Sequence, residues 1–339
     1  MKNKTIFLTI LLIATLILAS CEGGSSGQPG GKTSTGAQGK AFIGGDIGLD
    51  GVFLSGTPPA EVQDNGNEPF DITLKIENKG EWDVKATESN VIIDGIEAVA
   101  FGTTRPDLNK NATEDLTGAK LDSQGNTIAG SIVYYDFKDL KYKENITGSY
   151  SFPLRAIMCY TYGTKAAAQL CILSDLTGKT RKTGETPLCE PTDTNVPVEN
   201  SGAPVHVTNF AQSVTGTNKI SFSFNIKNAG SSDNRVSEKK SRCSTDPSKK
   251  DKIYVKVDTG LPVGTVSCSG LKDPVVVGSK TEGYVKLFGE TSGSEERAVY
   301  CTIDLGASDR SDFKKQVNIE LTYDFKQFVN TDLLVKHFE

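Results

Sequence analysis

Histidine is scarce in this sequence, and the thiolate motifs that bind metals are missing. The only two histidines, His206 and His337, lie far apart and away from any cysteine pair. No C-x-x-C motif occurs. Because a structural zinc site needs about four His or Cys ligands at close spacing, the sequence predicts no metal site.

Signatures of catalysis and nucleotide binding are also missing from the part predicted to fold. Gly45, Gly48 and Gly51 have the wrong spacing for G-x-G-x-x-G, and no G-x-S-x-G motif follows residue 40. The segment DNGNE at 64–68 could bind calcium weakly, but it is more typical of an Asx-rich turn. We therefore predict no catalytic residues, no cofactor and no enzymatic activity.

A surplus of positive charge is absent as well. The formal net charge is −5, and phosphate binding requires a basic surface, so nucleic acid is not an expected partner. The basic cluster of the sequence lies in a predicted loop and consists of Lys239, Lys240, Arg242, Lys249, Lys250 and Lys252. A solvated loop is the favoured interpretation, and contact with anionic head groups or acidic glycans is the alternative.

A long apolar run occurs only at the N terminus. Lys2 and Lys4 precede an apolar or hydroxylated run over 5–19, and the sequence LASC ends at Cys21. The run is shorter than the about 20 residues of a transmembrane helix and has the layout of a secretory signal. LASC resembles the lipobox of prokaryotic lipoproteins. This resemblance implies a signal peptide over 1–21, a lipid on Cys21 and a cell-surface location, with an uncleaved anchor or plain secretion as alternatives.

Residues 22–40 are predicted to be a flexible tether. Gly, Ser, Thr, Gln, Lys and Pro dominate this segment. A Gly/Ser-rich coil of this length has an end-to-end distance of about 25 Å. The tether would therefore hold the first domain clear of the lipid head groups.

The remaining chain has the pattern of an all-β protein. Alternating apolar residues at 70–76 predict a strand with one buried face, and the same pattern returns at 220–226, at an offset of 150. Residues 158–162 match 321–325 at an offset of 163. Two related domains of about seven short strands, typical of immunoglobulin-like sandwiches, explain both repeats. We predict β-sandwich domain 1 at 41–175, a linker at 176–204 and β-sandwich domain 2 at 205–339.

A family resemblance rests on the ends of the two repeated strands. IENKG at 76–80 and IKNAG at 226–230 resemble the apolar, polar, Asn, any, Gly signature of CARDB-type adhesion-related domains in bacterial and archaeal surface proteins. The segment 48–82, with CYTY at 159–162, is similar to archaeal surface lipoproteins. The resemblance implies a sandwich fold and a surface role, and it transfers no catalytic residues.

Six cysteines remain when Cys21 is set aside for lipid, and an even number in an exported chain predicts three disulfides rather than reduced thiols. Six cysteines allow fifteen pairings. Strand parity places Cys268 and Cys301 on inward faces, because each shares its face with neighbouring valine or isoleucine side chains. We therefore predict a buried Cys268 to Cys301 bridge between strands.

The other two predicted bridges depend on a predicted hairpin at the end of the first domain. If that hairpin turns about Lys165, Cys159 lies directly opposite Cys171. The pair left over is Cys189 with Cys243, which would join the linker to the second domain.

Two asparagines occur in sequons. Asn111 and Asn145 begin the sequences NAT and NIT, so each is a candidate glycosylation site if the source cell glycosylates exported asparagines.

Together these features predict a lipid-anchored, non-enzymatic surface protein that presents sandwiches for adhesion, envelope scaffolding or protein–protein interaction. Its expected partners are membrane lipid through Cys21 and another surface or envelope protein or a glycan. The alternative is an extracytoplasmic ligand receptor that serves a transporter or sensor. A receptor requires a closed, apolar-lined pocket between its domains, whereas a scaffold offers an exposed edge strand or apolar patch.

Overall fold

The structure, a computed structural model, describes residues 40–66, 68–230, 233–261, 265–287, 296–306 and 310–337. Its strands are β1 (Leu49–Phe53), β2 (Glu61–Gln63), β3 (Phe70–Asn78), β4 (Ser89–Asp94), β5 (Asn109–Asn111), β6 (Lys120–Leu121), β7 (Thr127–Ile128), β8 (Ile132–Leu140), β9 (Ser149–Ile172), β10 (Glu199–Asn200), β11 (Val205–Gly216), β12 (Lys219–Asn228), β13 (Arg235–Ser237), β14 (Lys252–Asp258), β15 (Val266–Ser269), β16 (Lys272–Val277), β17 (Lys280–Lys286), β18 (Glu296–Asp304) and β19 (Phe313–Lys336). A single turn of 3-10 helix, Ala86–Glu88, precedes β4.

The predicted signal peptide at 1–21, its lipid-bearing Cys21 and the predicted tether up to residue 39 lie outside the described residues. Within the described ranges, no helix is both long and apolar enough to cross a membrane.

The prediction of an all-β fold is confirmed. β1, β3 and β8 form a three-stranded sheet, and β11, β12, β18 and β15 form a four-stranded sheet. A ten-stranded sheet follows the order β16-β17-β14-β19-β9-β4-β5, with β10, β13 and β2 paired outside that path. The pairings are antiparallel except for β2 with β19. The fold is therefore built from antiparallel sheets, as strands with a single buried face predict.

The ten-stranded sheet is shared by both halves of the chain. Each half ends in a 24-residue strand, β9 in the first half and β19 in the second. These two strands pair antiparallel along their whole length, from Ser149 opposite Lys336 to Ile172 opposite Phe313. Residues 40–339 accordingly form one compact unit.

Each half places a smaller sheet on its part of the shared sheet. In the first half, the three-stranded sheet packs on β4 and β9, where the Tyr135 and Ser89 hydroxyl oxygens lie 2.8 Å apart in the core. In the second half, the four-stranded sheet packs on β19 and the end of β9, where Gln212 accepts a hydrogen bond from the amide of Cys171 at 2.8 Å. Side chains from both layers therefore fill each core, as in a sandwich.

The Asn-x-Gly signature has the same geometry in both halves. The two residues after Asn78 donate their backbone N–H groups to the carbonyl of Gly48, at 2.9 and 3.0 Å. The two residues after Asn228 donate theirs to the carbonyl of Pro204, at 2.8 and 3.2 Å. Each signature therefore ties the end of one core strand to the residue that precedes its neighbouring strand, β1 or β11.

β9 and β19 are related by a local two-fold axis. Thr161 pairs with Asp324 across the two strands. Asp324 is also the residue that corresponds to Thr161 in the sequence repeat, at the offset of 163. Residues on either side of this pair exchange roles between the strands: Tyr160 pairs with Phe325, and Tyr162 pairs with Tyr323. The two repeated segments found in the sequence, 158–162 and 321–325, thus partly pair with each other at the centre of the shared sheet.

Hydrogen bonds of two buried tyrosines follow the same symmetry. The hydroxyl of Tyr160 accepts the amide N–H of Leu49 at 3.3 Å and donates to Gln327 of β19 at 3.0 Å. The hydroxyl of Tyr323 accepts the amide N–H of the first residue of β11 at 3.2 Å and lies 3.2 Å from the hydroxyl of Thr164 in β9. Burial raises the pKa of both tyrosines. Each tyrosine therefore joins its own half to the strand of the other.

The structure contains the predicted bridge between Cys268 and Cys301, which lie directly opposite each other on β15 and β18. The other two predicted pairings are wrong, because Cys159 bonds to Cys243 and Cys171 bonds to Cys189.

The reason for the error is the length of β9. The chain does not turn at Lys165 but continues as one strand, so Cys159 and Cys171 are twelve residues apart on it. At about 3.3 Å per residue, this separation is about 40 Å, whereas disulfides need Cα atoms within about 7 Å. Each cysteine is therefore bonded to a different segment that crosses β9.

Residues 176–204, predicted as a linker, pack along the shared sheet. Cys189 is held to β9 by its disulfide, and β10 pairs with Ala166 and Ala167 of β9. Val196 forms a bridge with Phe210 of β11. The connection therefore contacts strands of both halves.

Candidate functional site

The ten-stranded sheet ends in an open strand, β16. Among the described strands, β16 pairs with β17 alone, and all six of its residues are exposed. The exposed fractions of Val275, Val276 and Val277 are 54%, 39% and 69%. The strand also carries one positive and one negative side chain, Lys272 and Asp273. An edge strand leaves backbone N–H and C=O groups available to a further strand, so β16 is a candidate interaction surface.

The opposite edge of the same sheet differs in length and polarity. β5 has three residues, Asn109–Asn111, and no apolar side chain. Asn111, the first sequon asparagine, is exposed at its end, and Asn145, the second, is exposed in the loop before β9. Short polar edges resist pairing with other strands, so β5 is the protected edge.

The predicted basic loop is held on the outer face of β9 and β19. Asp324 is buried at the centre of the shared sheet and accepts a hydrogen bond from the hydroxyl of Thr161 at 2.6 Å. The same carboxylate accepts hydrogen bonds from the Lys240 amide at 2.8 Å, the Ser241 hydroxyl at 3.1 Å and the Cys243 amide at 3.3 Å. Since Cys243 is also covalently linked to β9, the loop is fixed at two points.

Lysines of this loop do not converge on one point. Lys240 lies 3.5 Å from Glu88, and Lys252 lies 3.3 Å from a carboxylate of the same loop. Lys239 lies 3.2 Å from the ring centroid of Tyr254, where burial lowers the pKa of the lysine and raises that of the tyrosine to about 12. Because these charges are dispersed and partly neutralised, the loop matches a solvated surface better than an anion-binding patch.

The histidines and the DNGNE segment take part in local contacts. Nδ1 of His337 lies 2.8 Å from Asp64, whose carboxylate also accepts the Ile146 amide at 3.0 Å. Asn65 has the positive φ expected of an Asx-rich turn, and His206 contacts a backbone carbonyl. Over the described residues, no group of three or more His, Cys, Asp or Glu side chains could hold a metal ion.

A cleft of 780 Å³ lies where the two halves meet, open to solvent on one side of the shared sheet. Its walls include charged and amide side chains, among them Asp46, Asp50, Arg155 and Gln327. A closed, apolar-lined pocket is the feature that a ligand receptor requires, and this cleft is neither closed nor mainly apolar.

Sequence reasoning missed two features of the surface. The strand β16 was not predicted, because Pro274 and three successive valines lack the alternation of a half-buried strand. The position of Trp82, the single tryptophan of the chain, was also not predicted. A run of three β-branched residues between Pro274 and Gly278 was the available signal for an edge strand.

Comparisons with known proteins identify neither a family nor a function for this chain. No family model matches the chain, and no curated protein matches it. The secreted serine protease VesC from Vibrio cholerae has 10% identity and a TM-score of 0.17, over 87% of this chain and 52% of VesC, so the chain spans about half of that protein. An enterococcal surface protein, partial N-terminal region, has 10% identity and a TM-score of 0.14, over 91% and 98% of the two chains. The structure of infectious bursal disease virus, Gx strain, has 12% identity and a TM-score of 0.09, over 80% and 84%.

Proposed function

We propose that this protein is a lipid-anchored, non-enzymatic protein of the cell surface that forms adhesive or scaffolding contacts by pairing β16 with β16 of a second copy. Three disulfides place the folded chain outside the reducing cytosol. The lipid on Cys21 and the tether at 22–40 would hold it at the membrane with freedom to reach a neighbour. One acyl chain binds a membrane only marginally, so stable anchoring requires two.

The observation that carries the proposal is the exposure of β16. Three adjacent valines are in contact with water at the end of a sheet whose other edge is short and polar. Native edge strands usually carry protective charges, bulges or covering segments. β16 has such features only at its start, where Lys272, Asp273 and Pro274 lie at an irregularity in its pairing with β17. Its valine end, Val275 to Val277, pairs regularly and carries none, so this end is explained best as a surface that another strand covers.

A second copy is the occupant that suits this strand. Antiparallel pairing of β16 with itself about a two-fold axis places valines opposite valines or their near neighbours, and such isologous contacts are the commonest type in homo-oligomers. Lys272 and Asp273 balance each other, so one copy of the strand does not repel another. Lysines at the centre of the edge, the usual protection, are absent from β16.

The pairing is testable by site-specific photocrosslinking on intact cells with the full-length protein. A photoreactive residue at Val277 should give a covalent product of twice the mass of the chain. Val276→Lys in the same chain should lower that yield at least about tenfold, because like charges would then face each other across the pair. Val99→Lys is the matched control, since Val99 is 74% exposed in a turn away from β16, and it should leave the yield unchanged.

Two results would contradict this proposal. One is a crosslinked product that contains a different protein or no product at all. The other is an equal yield in Val276→Lys and Val99→Lys.

The anchoring is tested separately by Cys21→Ala, which removes the acceptor of the lipid. The variant should appear in the medium instead of the membrane fraction. Retention of the variant in the membrane fraction would argue against lipid attachment.

A further inference from the structure

A second surface, distinct from β16, lies around the single tryptophan. Trp82 follows the first Asn-x-Gly signature, and both of its backbone polar groups are hydrogen-bonded. Its N–H donates to the hydroxyl of Tyr162 at 3.4 Å, and its carbonyl accepts a hydrogen bond from the side-chain amide of Asn78 at 2.8 Å. The indole lies on the outer face of β9, directly over Gly163. A Cβ on Gly163 would be 2.6 Å from three ring atoms, so only glycine lets the ring lie against the strand.

The indole borders a depression of 630 Å³ that is open to solvent, which we call the Trp82 pocket. Phe42 supplies a second aromatic side chain to its lining, and Thr161, Thr322 and Ser201 supply hydroxyl groups. Ligand pockets combine apolar or aromatic surface with a few placed polar groups, and this pocket has both. Its size is sufficient for two or three sugar rings at the volumes typical of small-ligand sites.

Carboxylates at the rim are already engaged. Glu81 accepts hydrogen bonds from the backbone amides of Ile43, Gly44 and Gly202, at 3.1, 3.0 and 2.6 Å. Asp83 accepts the amide of residue 118 at 2.8 Å and lies 3.5 Å from a lysine. These contacts shape the pocket and reduce the capacity of its carboxylates to attract a cationic ligand.

Lys165 is the cation that remains available beside the ring. Its Nζ lies 5.7 Å from the centroid of Trp82, and its side chain is exposed. Among the described residues, no carboxylate lies within ion-pair distance of Lys165, whereas the other lysines at the rim, Lys85, Lys120 and Lys240, each have one. An anionic group that entered the pocket would therefore meet Lys165 without breaking an ion pair with any described residue, since even Glu320, directly opposite Lys165 on β19, forms no salt bridge with it.

We propose that the Trp82 pocket binds an acidic saccharide. The apolar C–H face of a sugar ring would stack on the indole, the carboxylate of the sugar would pair with Lys165, and its hydroxyl groups would contact Thr322, the lining hydroxyl that is not buried. A cationic ligand is disfavoured by Lys165, which has no ion pair within the described part of the chain, and a purely apolar ligand would leave that charge without a partner. The site is on a face of the shared sheet, so its test is independent of pairing at β16.

The single tryptophan makes binding directly measurable. Titration of the full-length, disulfide-intact protein with trigalacturonate should change the fluorescence of Trp82 saturably, and calorimetry should give the same affinity. Maltotriose, a neutral trisaccharide, should bind at least about fivefold more weakly, because it lacks the charge that pairs with Lys165.

Two variants within the site and one control outside it separate the site from the rest of the surface. Lys165→Gln should weaken trigalacturonate about fivefold and bring its affinity close to that of maltotriose. Lys227→Gln is the matched control, since Lys227 is an exposed strand lysine in the four-stranded sheet, and it should leave binding unchanged. Gly163→Ala, which obstructs the ring, should lower the affinity for both saccharides while the urea midpoint of the protein, measured in parallel, reports whether it folds.

Three results would overturn the proposal. The first is no saturable binding of trigalacturonate by either method. The second is equal binding of maltotriose and trigalacturonate, or an equal effect of Lys165→Gln and Lys227→Gln. The third is tighter binding of an acidic tripeptide than of trigalacturonate, which would identify the pocket as a peptide site.

Discussion

The two halves of the molecule build their cores around equivalent strands, β3 with β9 and β12 with β19, but differ in the contacts made at equivalent core positions. The first half uses hydrogen bonds between buried polar side chains: Tyr135 pairs with Ser89, and Tyr162 donates to Asn78 at 3.0 Å. In the second half, the position equivalent to Tyr162 is Phe325, and no hydroxyl is available there. The same backbone pattern therefore tolerates a polar or an apolar core.

The second half compensates with stacked rings and a covalent link. Phe222 stacks against Phe210 and Phe224, with interplanar angles of 13° and 18°. The disulfide between Cys268 and Cys301 joins the neighbouring strands β15 and β18 of the same sheet. Asn228, the signature asparagine of the second half, also makes fewer hydrogen bonds than Asn78, since its Nδ2 is buried without a partner among the described residues. We therefore expect the halves to respond to different perturbations.

Removing the disulfide should produce the largest difference. Replacement of Cys268 and Cys301 by Ala frees a loop with a sequence separation of 33 residues. The expected decrease in the free energy of unfolding is about 4 kcal/mol, because the unfolded chain gains loop entropy. Urea unfolding followed by circular dichroism measures it. A decrease below about 1 kcal/mol would show that the disulfide contributes little to the stability of this half.

The two signature asparagines should differ next. Asn78→Ala removes the partner of the Tyr162 hydroxyl and of the carbonyls of Trp82 and Leu116, at 2.8 and 3.1 Å, so a loss of about 3 kcal/mol is expected. Asn228→Ala removes a side chain whose donor is already unpaired and should cost about 1 kcal/mol or less. Equal losses in urea unfolding would mean that the halves do not differ at this position.

Alkaline pH should destabilise both halves through their buried tyrosines, and the smaller part that belongs to Tyr135 can be isolated by substitution. Burial raises the pKa of Tyr135 to about 12. The folded state therefore keeps this proton when the unfolded state loses it near pH 10, so the stability contribution is complete below pH 10 and is lost between pH 10 and about 12, by up to about 2.7 kcal/mol. Tyr135→Phe should flatten the decline over this range, measured as the urea midpoint against pH. Tyr300→Phe, at an exposed position of β18, is the control and should not flatten it.

Strands with a regular alternation were predictable from the sequence. β3 and β12 were located by their apolar residues at every second position, because each has one face in a core and one in water. Their Asn-x-Gly ends were also recognised as a repeated signature. The pairing of Cys268 with Cys301 followed from the same parity, since both cysteines lie on local, regular strands.

The course of β9 was not predictable in this way. Gly163 and Lys165 look like a turn, but the strand continues because β19 pairs with it on one side and the Trp82 ring needs the space above Gly163. Both causes act between residues far apart in the chain. The two wrong disulfides follow directly from this error, as does the failure to foresee the Trp82 pocket.

The shared sheet also fixes a distance. From β5 to β16 the path crosses six strand-to-strand steps, which at about 4.8 Å each amount to about 29 Å along the sheet. Since every step is made of backbone hydrogen bonds, no hinge interrupts it. A strand that pairs with the valine edge as proposed would therefore lie at least about 29 Å from the sequon-bearing edge.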